Sequence, residues 1–303
     1  MACDFWHDLI GSRTECAIDY GPEKGYFLGG QNAGYKDVID SFAYATETTA
    51  LVAATLAVAR ELPAGVNSGL KGYTGGGWNA SYLSEIDGLT FIVETALNPA
   101  ATLGVARYYL AGVNSSSNGY FMGGYTGAYS TEIDGINFSS DTAINPAAVC
   151  GVQRSRSAGF NSSLAGYAAC GYYGPGQLNS VDKLIFLTET CALIAATLSV
   201  ARNSVAGVNS DTKGYGLGGD AGGGAGTWID GVAFATDTAI DPAAVLPSSM
   251  SNGGSNNSTI RGYIANFADI QGIQFDTEAA VNPAAALSLS RQGMTGFQSG
   301  NIL

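Results

Sequence analysis

Histidine is almost absent from this sequence, which contains His7 and no other. Zinc and copper sites in proteins depend heavily on imidazole ligands, and most general acid–base catalysis uses histidine as well. His7 also lies in an N-terminal segment that has no counterpart elsewhere in the chain. The sequence therefore predicts a protein that uses no metal or other cofactor, and it disfavours an enzyme.

Basic residues are scarce as well, with 13 Lys and Arg against 25 Asp and Glu, for a formal net charge of -12. Nucleic acids and anionic membrane surfaces are recognised through clustered positive charge, so neither is an expected partner. The longest mostly apolar runs are residues 51–59 and 191–201. Both are much shorter than the roughly 20 residues that cross a bilayer as a helix, and we expect no membrane insertion.

The sequence also lacks an export signal and a cysteine framework. Its first residues are acidic and have no basic n-region of the kind that begins a Sec signal peptide. The five cysteines are an odd number without a CxxC pair, which fits synthesis in a reducing compartment. Pairing of Cys150 with Cys170 stays open at this stage. We expect a protein made in the cytoplasm that reaches any extracellular site by a non-Sec route.

A repeat fills most of the chain. Its clearest marker is a Gly-Tyr pair that recurs at nearly equal intervals in six modules, with its tyrosines 47, 47, 47, 48 and 48 residues apart. These tyrosines are Tyr26, Tyr73, Tyr120, Tyr167, Tyr215 and Tyr263. A fixed period of this length is typical of repeat architectures. The sixth module is shorter than the others, lacks the double glycine that follows the tyrosine, and has Gln271 where an acid is expected.

Two acids and one arginine keep the same phase as the tyrosine. The first acids are Asp40, Asp87, Asp134, Asp182 and Asp230, the second acids are Glu47, Glu94, Asp141, Glu189 and Asp237, and the arginines are Arg60, Arg107, Arg154, Arg202 and Arg291. Because these residues recur in nearly every module, we expect them to stabilise the fold of each module rather than to form a single functional site. We predict that the first acid stabilises a turn and that the second acid bonds the arginine of a neighbouring strand.

Each module reads as four short strands separated by Gly, Asn and Pro. The Ala-rich segments 49–60 and 190–202 have helical propensity. Asn-Pro or Asp-Pro interrupts the equivalent segment in the other modules, however, and the residue before proline avoids the α region. Four strands in each of six modules predict an all-β fold, a six-bladed β-propeller with four-stranded antiparallel blades.

The module pattern resembles that of kelch-type β-propellers. The matching residues in one module are Arg107, the segment 120–124 (Tyr-x-x-Gly-Gly) and Asp134, and Arg60 and Asp87 match in another. The chain departs from the kelch pattern because its fourth strands lack the usual tryptophan. The resemblance implies a ring that closes across the N- and C-terminal segments. Either residues 15–20 or residues 291–299 would supply the closing strand, and the sequence leaves both open.

The repeat also suggests how the chain is divided. Residues 14–303 are expected to form the propeller, whereas residues 1–13 have no repeat counterpart. That N-terminal arm contains Phe5, Trp6 and His7, and we predict that it docks onto a partner.

Six tyrosines outside the repeated Gly-Tyr pair are the candidate ligand contacts: Tyr108, Tyr109, Tyr125, Tyr129, Tyr172 and Tyr173. A tyrosine offers an apolar ring and a polar hydroxyl, which suits both a sugar and a protein partner. Packing between blades is the alternative role, and the sequence leaves it open. The glycine-rich segment 216–226 lacks the Lys-Ser/Thr of a phosphate-binding loop and is expected to be an ordinary blade loop.

Three functional hypotheses are compatible with these features, since fold alone does not assign function. The composition is poor in Lys and rich in Gly, Ser, Asn, Ala and Thr, and in this respect the chain is similar in style to phage tail-fibre and capsid-decoration proteins. The first hypothesis is therefore a non-enzymatic structural or attachment protein on a virion surface, with other virion proteins as partners. The second is a lectin-like module that binds a cell-surface glycan through its tyrosines. The third is a polysaccharide-acting enzyme that uses paired carboxylates such as Asp134 and Asp141.

Overall fold

The computed structural model describes residues 23–299, and within this range the chain forms 25 β-strands and no helix. The first twelve strands are β1 (Lys24–Leu28), β2 (Ile39–Ala43), β3 (Thr48–Leu51), β4 (Ala64–Asn67), β5 (Lys71–Gly75), β6 (Ile86–Thr90), β7 (Thr95–Leu97), β8 (Ala111–Asn114), β9 (Asn118–Met122), β10 (Ser130–Asn137), β11 (Thr142–Ile144) and β12 (Val149–Arg154).

The remaining strands are β13 (Ala158–Asn161), β14 (Ala165–Tyr173), β15 (Gly176–Ile185), β16 (Thr190–Thr197), β17 (Ala206–Asn209), β18 (Lys213–Leu217), β19 (Ile229–Ala233), β20 (Thr238–Ile240), β21 (Gly254–Asn257), β22 (Arg261–Gln274), β23 (Ala280–Val281), β24 (Ala286–Arg291) and β25 (Thr295–Gln298).

These strands form the six antiparallel blades of a six-bladed β-propeller, so the predicted fold class is confirmed. Blades two, four and five are β4–β7, β13–β16 and β17–β20 in chain order. In blade three, β11 and β12 lie one after the other along β10 and together form the outer strand. Neither segment that helical propensity left in question is a helix, as the proline in their sister modules indicated: β3 (Thr48–Leu51) covers the start of the first, whose residues 52–60 form no strand, and β16 (Thr190–Thr197) covers most of the second.

The sixth blade is compressed because a tight turn joins its two middle strands: Phe267 has a positive φ of 55°, and a Cβ on Gly272 would overlap the carbonyl oxygen of Gly262 on the adjacent strand. The single element β22 spans both positions: residues 262–265 pair with β21, and Gly272 and Ile273 pair with β23. Both β23 and β24 lie along β22 as the outer strand. The shorter sixth module seen in the sequence is therefore a complete blade in which a tight turn replaces one loop.

The C-terminal segment closes the ring. Strand β25 pairs antiparallel with β1, and the order in blade one is β25, β1, β2, β3. Of the two closing segments that the sequence left open, residues 295–298 therefore provide the innermost strand of blade one. The other segment, residues 15–20, and the predicted docking arm with Phe5, Trp6 and His7 lie outside the described residues.

The six innermost strands pack closely around the axis of the propeller. Each carries a small residue at its second position: Gly65, Gly112, Gly159, Gly207, Ser255 and Gly296. A Cβ built on Gly112 would overlap the carbonyl oxygen of Gly65 in the neighbouring blade, and equivalent overlaps recur around the ring. Blade six tolerates a serine, whose Oγ donates a hydrogen bond to the carbonyl of Gly207 at 2.8 Å. The inner strands thus contact one another backbone to backbone.

A row of asparagines ties these strands together at one end. The backbone N–H of Asn67 donates to Oδ1 of Asn114 at 2.9 Å, and Asn114 donates in the same way to Asn161 at 3.2 Å. The N–H of Asn161 donates to Oδ1 of Asn209, and the N–H of Asn209 donates to Oδ1 of Asn257 at 3.0 Å. Each bond joins two blades. Because the blades are separate sheets with no hydrogen-bonded strands between them, these asparagine bonds link their inner strands.

Five joints between blades hold a fully buried arginine–aspartate pair. The pairs are Arg60–Asp87, Arg107–Asp134, Arg154–Asp182, Arg202–Asp230 and Arg291–Asp40. The guanidinium of Arg107 also donates to the carbonyls of Gly123 at 2.7 Å and Phe121 at 3.1 Å. These extra acceptors matter because a buried ion pair is favourable only when its remaining polar atoms are satisfied.

The joint between blades five and six replaces both members of the pair. Met250 takes the arginine position, and its carbonyl accepts the backbone N–H of Gly219 as the arginine carbonyls do elsewhere. Gln271 takes the aspartate position and accepts the backbone N–H of Ser248 at 3.0 Å. Both side chains are buried. The charged groups are therefore lost together, which avoids leaving one buried charge without its partner.

The repeated tyrosines form a second set of joints. Each ring packs against an aromatic residue of the following blade: Tyr26 with Phe91, Tyr73 with Phe138, Tyr120 with Phe186, Tyr167 with Phe234, Tyr215 with Phe275 and Tyr263 with Tyr44. The centroids are 5.2–5.8 Å apart. Such stacked pairs add to the stabilisation that burial alone provides, so each blade is attached to the next by its own tyrosine.

The second acids accept hydrogen bonds from these tyrosines. Tyr120 donates to Glu189 at 2.9 Å and Tyr167 to Asp237 at 2.9 Å, and Lys183 bonds the same Asp237 at 2.7 Å. Our predictions that the first acid stabilises a turn and that the second acid bonds the repeated arginine were both wrong, since the first acids lie inside buried strands. The arginine reaches the first acid instead, because it enters the buried space between the middle strands, whereas the second acid lies at the outer hairpin beside the tyrosine hydroxyl.

One of these acids predicts a pH dependence of stability. The hydrogen bond from Lys213 lowers the pKa of Glu278 below its ordinary value, with Tyr215 contributing in the same direction. A folded-state pKa that lies below the unfolded value of about 4.3 stabilises the protein above that pH, and the stabilisation is lost as pH falls through the folded value. The pair is partly exposed, so we expect less than about 1 kcal/mol.

The measurement is the melting temperature of wild type and Glu278→Gln from pH 7 to pH 3. The glutamine variant is expected to lose less stability than wild type below about pH 4.3. Parallel curves for the two proteins would contradict the assignment.

Three cysteines lie in the described range, and all three are free thiols. Cys150 and Cys170, whose pairing the sequence left open, do not form a disulfide. Burial raises the pKa of the Cys170 thiol to about 12, so this residue acts as a small apolar side chain in the core.

Candidate functional site

Aromatic side chains accumulate on one end of the propeller, at the loops of blades two, three and four. Trp78 and Tyr82 lie between β5 and β6, and Tyr125 and Tyr129 lie between β9 and β10. Tyr108 and Tyr109 lie between β7 and β8, and Tyr172 and Tyr173 end β14. Loops between second and third strands, and connections from one blade to the next, leave the blades at the same end. The topology therefore places all eight side chains on one surface.

The double glycines hold these loops in place. Gly123 and Gly124 have positive φ values of 66° and 111°, and the N–H of Gly124 donates to the carbonyl of Arg154 at 2.8 Å. The chain then passes to Tyr125, which forms a two-way backbone pair with Tyr108 of the preceding connection. A side chain on Gly123 would meet the Arg154 carbonyl, so glycine is required for the close approach that positions Tyr125.

The eight rings form a continuous series. Centroid separations are 5.1 Å for Trp78–Tyr82, 5.8 Å for Tyr82–Tyr108 and 5.9 Å for Tyr108–Tyr125. The series continues from Tyr125 to Tyr129 at 5.2 Å and from Tyr129 to Tyr172 and Tyr173 at 5.8 and 5.6 Å. We call this surface the aromatic face: Trp78, Tyr82, Tyr108, Tyr109, Tyr125, Tyr129, Tyr172 and Tyr173.

The structure thus brings together the six tyrosines that the sequence singled out, and it adds two residues that the sequence analysis missed. Trp78 and Tyr82 each stand 47 residues before another member of the face, Tyr125 and Tyr129 respectively. That phase relation was present in the sequence and would have identified them. The side chains are partly accessible, with Tyr82 and Tyr173 exposed to 36% and 39%.

The aromatic face surrounds a cavity of about 430 Å³. Its walls are formed by Tyr108, Tyr109, Tyr125, Tyr129, Tyr172, Ser155 and Arg156. The guanidinium carbon of Arg156 lies 4.2 Å from the centroid of the Tyr109 ring, a cation–π arrangement. Volumes of about 300–1,000 Å³ are typical of sites for small ligands.

The hydroxyl groups of the aromatic face have no hydrogen-bond partner among residues 23–299, in contrast to the repeated tyrosines. Burial raises the pKa of Tyr108 and of Tyr109, and Arg156 partly offsets the effect at Tyr109. Burial also raises the pKa of Tyr129. These phenols are therefore neutral at pH 7, and each offers both a donor and an acceptor to a ligand.

The equivalent loops of the other blades are different. Blade one carries Gln31 and Tyr35 at the positions of Tyr125 and Tyr129, and blade five carries Asp220 and Ala225. In blade six a tight turn within β22 replaces this loop, and its Phe267 side chain is 54% exposed. The aromatic face is therefore not a requirement of the fold, since the same loop geometry forms without it.

The paired carboxylates that an enzyme would need have other partners. Asp134 is buried against Arg107, and Asp141 accepts hydrogen bonds from Lys71 and from the hydroxyl of Tyr73. Within residues 23–299, no group of three or more His, Cys, Asp and Glu is placed to hold a metal ion. Nor does that part of the chain contain a helix with the length and apolar character needed to span a membrane.

The comparisons give no relative by which to assign the site. A scan against protein-family models found no match, and a search of curated proteins found none either. Any assignment therefore depends on the fold and on the geometry of the site itself. The chain is a six-bladed β-propeller repeat protein with an aromatic face on three adjacent blades.

Proposed function

We propose that this protein is a non-enzymatic interaction propeller that attaches a larger assembly, a phage virion, to a glycan on a cell surface. The aromatic face is the contact surface for the glycan. The scaffold supplies rigidity, and the connections at one end of three adjacent kelch-like blades, two to four, carry the ligand contacts.

The observation that carries this proposal is the asymmetry of an otherwise regular molecule. Structural residues such as the buried arginines recur around the ring, whereas a continuous series of aromatic rings in mutual contact occurs in blades two to four. Tyr35, Trp228 and Phe267, the aromatic residues at the equivalent connections of blades one, five and six, do not contact that series. A role in packing between blades would call for aromatics at every joint. A cluster in one sector instead indicates a contact with something outside the propeller.

A glycan suits the chemistry of this surface. Sugar rings have flat faces of C–H groups that pack on aromatic rings, and their hydroxyls need donors and acceptors at the same place. Partly exposed tyrosines, whose hydroxyls have no partner within residues 23–299, supply both. The series of rings from Trp78 to Tyr173 crosses three blades, which fits an extended oligosaccharide better than a single sugar.

A second surface favours the assembly half of the proposal. Exposed apolar side chains lie in or beside the outer strands of successive blades. Leu51, Val149 and Leu193 lie in β3, β12 and β16, Val93 lies in the turn before β7, and Val245 follows β20. The outward edges of these strands have no partner among residues 23–299, and unprotected edges beside apolar residues are typical of surfaces that other chains cover. Neighbouring virion proteins would bind this rim and leave the aromatic face free.

We do not propose the enzymatic alternative, because both types of repeated carboxylate already have protein partners.

The virion assignment is tested by locating the protein: it should copurify with phage particles and be visible on them by immunogold electron microscopy. Recovery only as free protein, in a culture that yields intact particles, would contradict this half of the proposal.

The glycan assignment is tested with Tyr129→Gln. We expect wild type to bind a subset of microbial oligosaccharides on a glycan array, and we expect the variant to lose at least about tenfold in affinity, or about 1.4 kcal/mol, because a stacking surface is removed. Tyr35→Gln is the matched control, since Tyr35 holds the same loop position in blade one and has no ring contact with the aromatic face. Equal losses in both variants, or no effect of either, would contradict the assignment.

A further inference from the structure

We propose that Arg156 makes the aromatic face selective for an acidic sugar, one that carries a carboxylate on its ring. This inference rests on the proposed glycan-binding function and adds the class of glycan. The residue was not singled out in the sequence, because no other module has an arginine at this position.

Among residues 23–299, Arg156 differs from nearly every other basic residue because it forms no salt bridge. Residues 23–299 contain twelve Lys and Arg, and ten of them form salt bridges with Asp or Glu: Lys24, Arg60, Lys71, Arg107, Arg154, Lys183, Arg202, Lys213, Arg261 and Arg291. The two that do not are Lys36 and Arg156, and of these only Arg156 lines the cavity.

The guanidinium is held in place without using its hydrogen-bond donors. The backbone of Arg156 is fixed by a bond from its N–H to the carbonyl of Tyr109 at 2.9 Å and by a bond that its own carbonyl accepts from Ser204 at 2.8 Å. The side chain packs on the Tyr109 ring. No described protein group accepts a hydrogen bond from its guanidinium. The donor groups are thus oriented in advance, which reduces the entropy lost when a ligand binds.

A carboxylate matches these donors best. The planar guanidinium binds a carboxylate through two parallel hydrogen bonds, and such charge-assisted pairs are stronger and more directional than neutral ones. The protein as a whole carries a formal net charge of -12, so an anionic ligand is repelled from most of its surface. A single unpaired cation inside an aromatic cavity therefore gives local selectivity for an acidic group on a sugar that stacks beside it.

Matched pairs of probes test the inference: sialyllactose against lactose, and trigalacturonate against galactotriose, with binding measured by calorimetry. A sulfated galactotriose separates carboxylate from other anionic groups. We expect wild type to bind at least one carboxylated probe tenfold or more tightly than its neutral counterpart and the sulfated one. Arg156→Gln should abolish that preference, because it should weaken binding of the carboxylated probe at least tenfold more than binding of the neutral one, and Arg156→Lys should retain part of the preference.

The controls separate the two proposals. Lys36→Gln should not change the preference for carboxylated probes. Arg156→Gln should have the same melting temperature as wild type, because Arg156 forms no salt bridge within residues 23–299. If wild type binds neutral and acidic probes equally, or Arg156→Gln keeps the preference, the selectivity inference is overturned while glycan binding stands. A preference for the sulfated probe overturns the carboxylate assignment. If wild type binds none of these probes and no member of a broad glycan array, the proposed function and the inference both fail.

Discussion

Replacing Arg107 alone with methionine is expected to lower the free energy of unfolding by about 3–5 kcal/mol. The side chain is fully buried, and its loss leaves the Asp134 carboxylate buried without a counter-charge. The carbonyls of Gly123 and Phe121 lose their donor at the same time. Chemical denaturation followed by tryptophan fluorescence would measure the change.

The double variant Arg107→Met with Asp134→Gln is the decisive comparison. It copies the pair Met250 and Gln271, which this chain already uses at the joint between blades five and six. Removing both charges avoids the uncompensated carboxylate, so we expect the double variant to be more stable than Arg107→Met by about 2 kcal/mol or more. Additive losses in the double variant, or a loss below about 1 kcal/mol in Arg107→Met, would contradict the account of these joints.

Gly112→Ala is expected to destabilise the propeller by about 3 kcal/mol, the upper part of the range for overpacked interiors. The added methyl group would overlap the carbonyl oxygen of Gly65 and lie 3.0 Å from its carbonyl carbon. Both groups belong to backbone in the innermost strands, which move only if neighbouring blades move. The effect would appear as a lower denaturation midpoint.

Gly223→Ala is the matched control for this prediction. Gly223 lies in the blade-five loop and does not have a positive φ. A Cβ added at this position would have no neighbouring atom within 4 Å. Its substitution should change stability by less than about 0.5 kcal/mol. Equal effects of the two alanine variants would show that the inner ring is not as closely packed as described.

The fold could be predicted from the sequence because each blade of a propeller repeats the same arrangement of strands. The Gly-Tyr period gave the number of blades, and the Pro-containing sister modules showed that β3 and β16 are strands despite their alanines. The sixth module was recognised as shorter than the others, and the structure shows that a tight turn within β22 accounts for the difference.

What the sequence analysis missed were contacts between one module and the next. The partner of Tyr73 is Asp141, 68 residues later, and its stacking partner Phe138 also lies in the following blade. A period reveals which positions recur, but it does not show which recurring positions touch. The second acids were consequently assigned to the wrong partner.

The residues of the site were harder to predict for a different reason. They occur in only some of the modules, so a search for recurring positions does not find them. Tyr108 and Tyr173 were identified only because they are tyrosines outside the repeated Gly-Tyr pair. Arg156 could be recognised only after the ion pairs were known, because its distinctive feature is the absence of a carboxylate partner.

The most direct test of the central claim is a crystal structure of the protein with the glycan that binds it most tightly on an array. We predict sugar rings packed on Tyr125 and Tyr129, with a carboxylate within hydrogen-bond distance of the Arg156 guanidinium. A sugar bound at the axis or on the outer rim, with the aromatic face unoccupied, would contradict that claim.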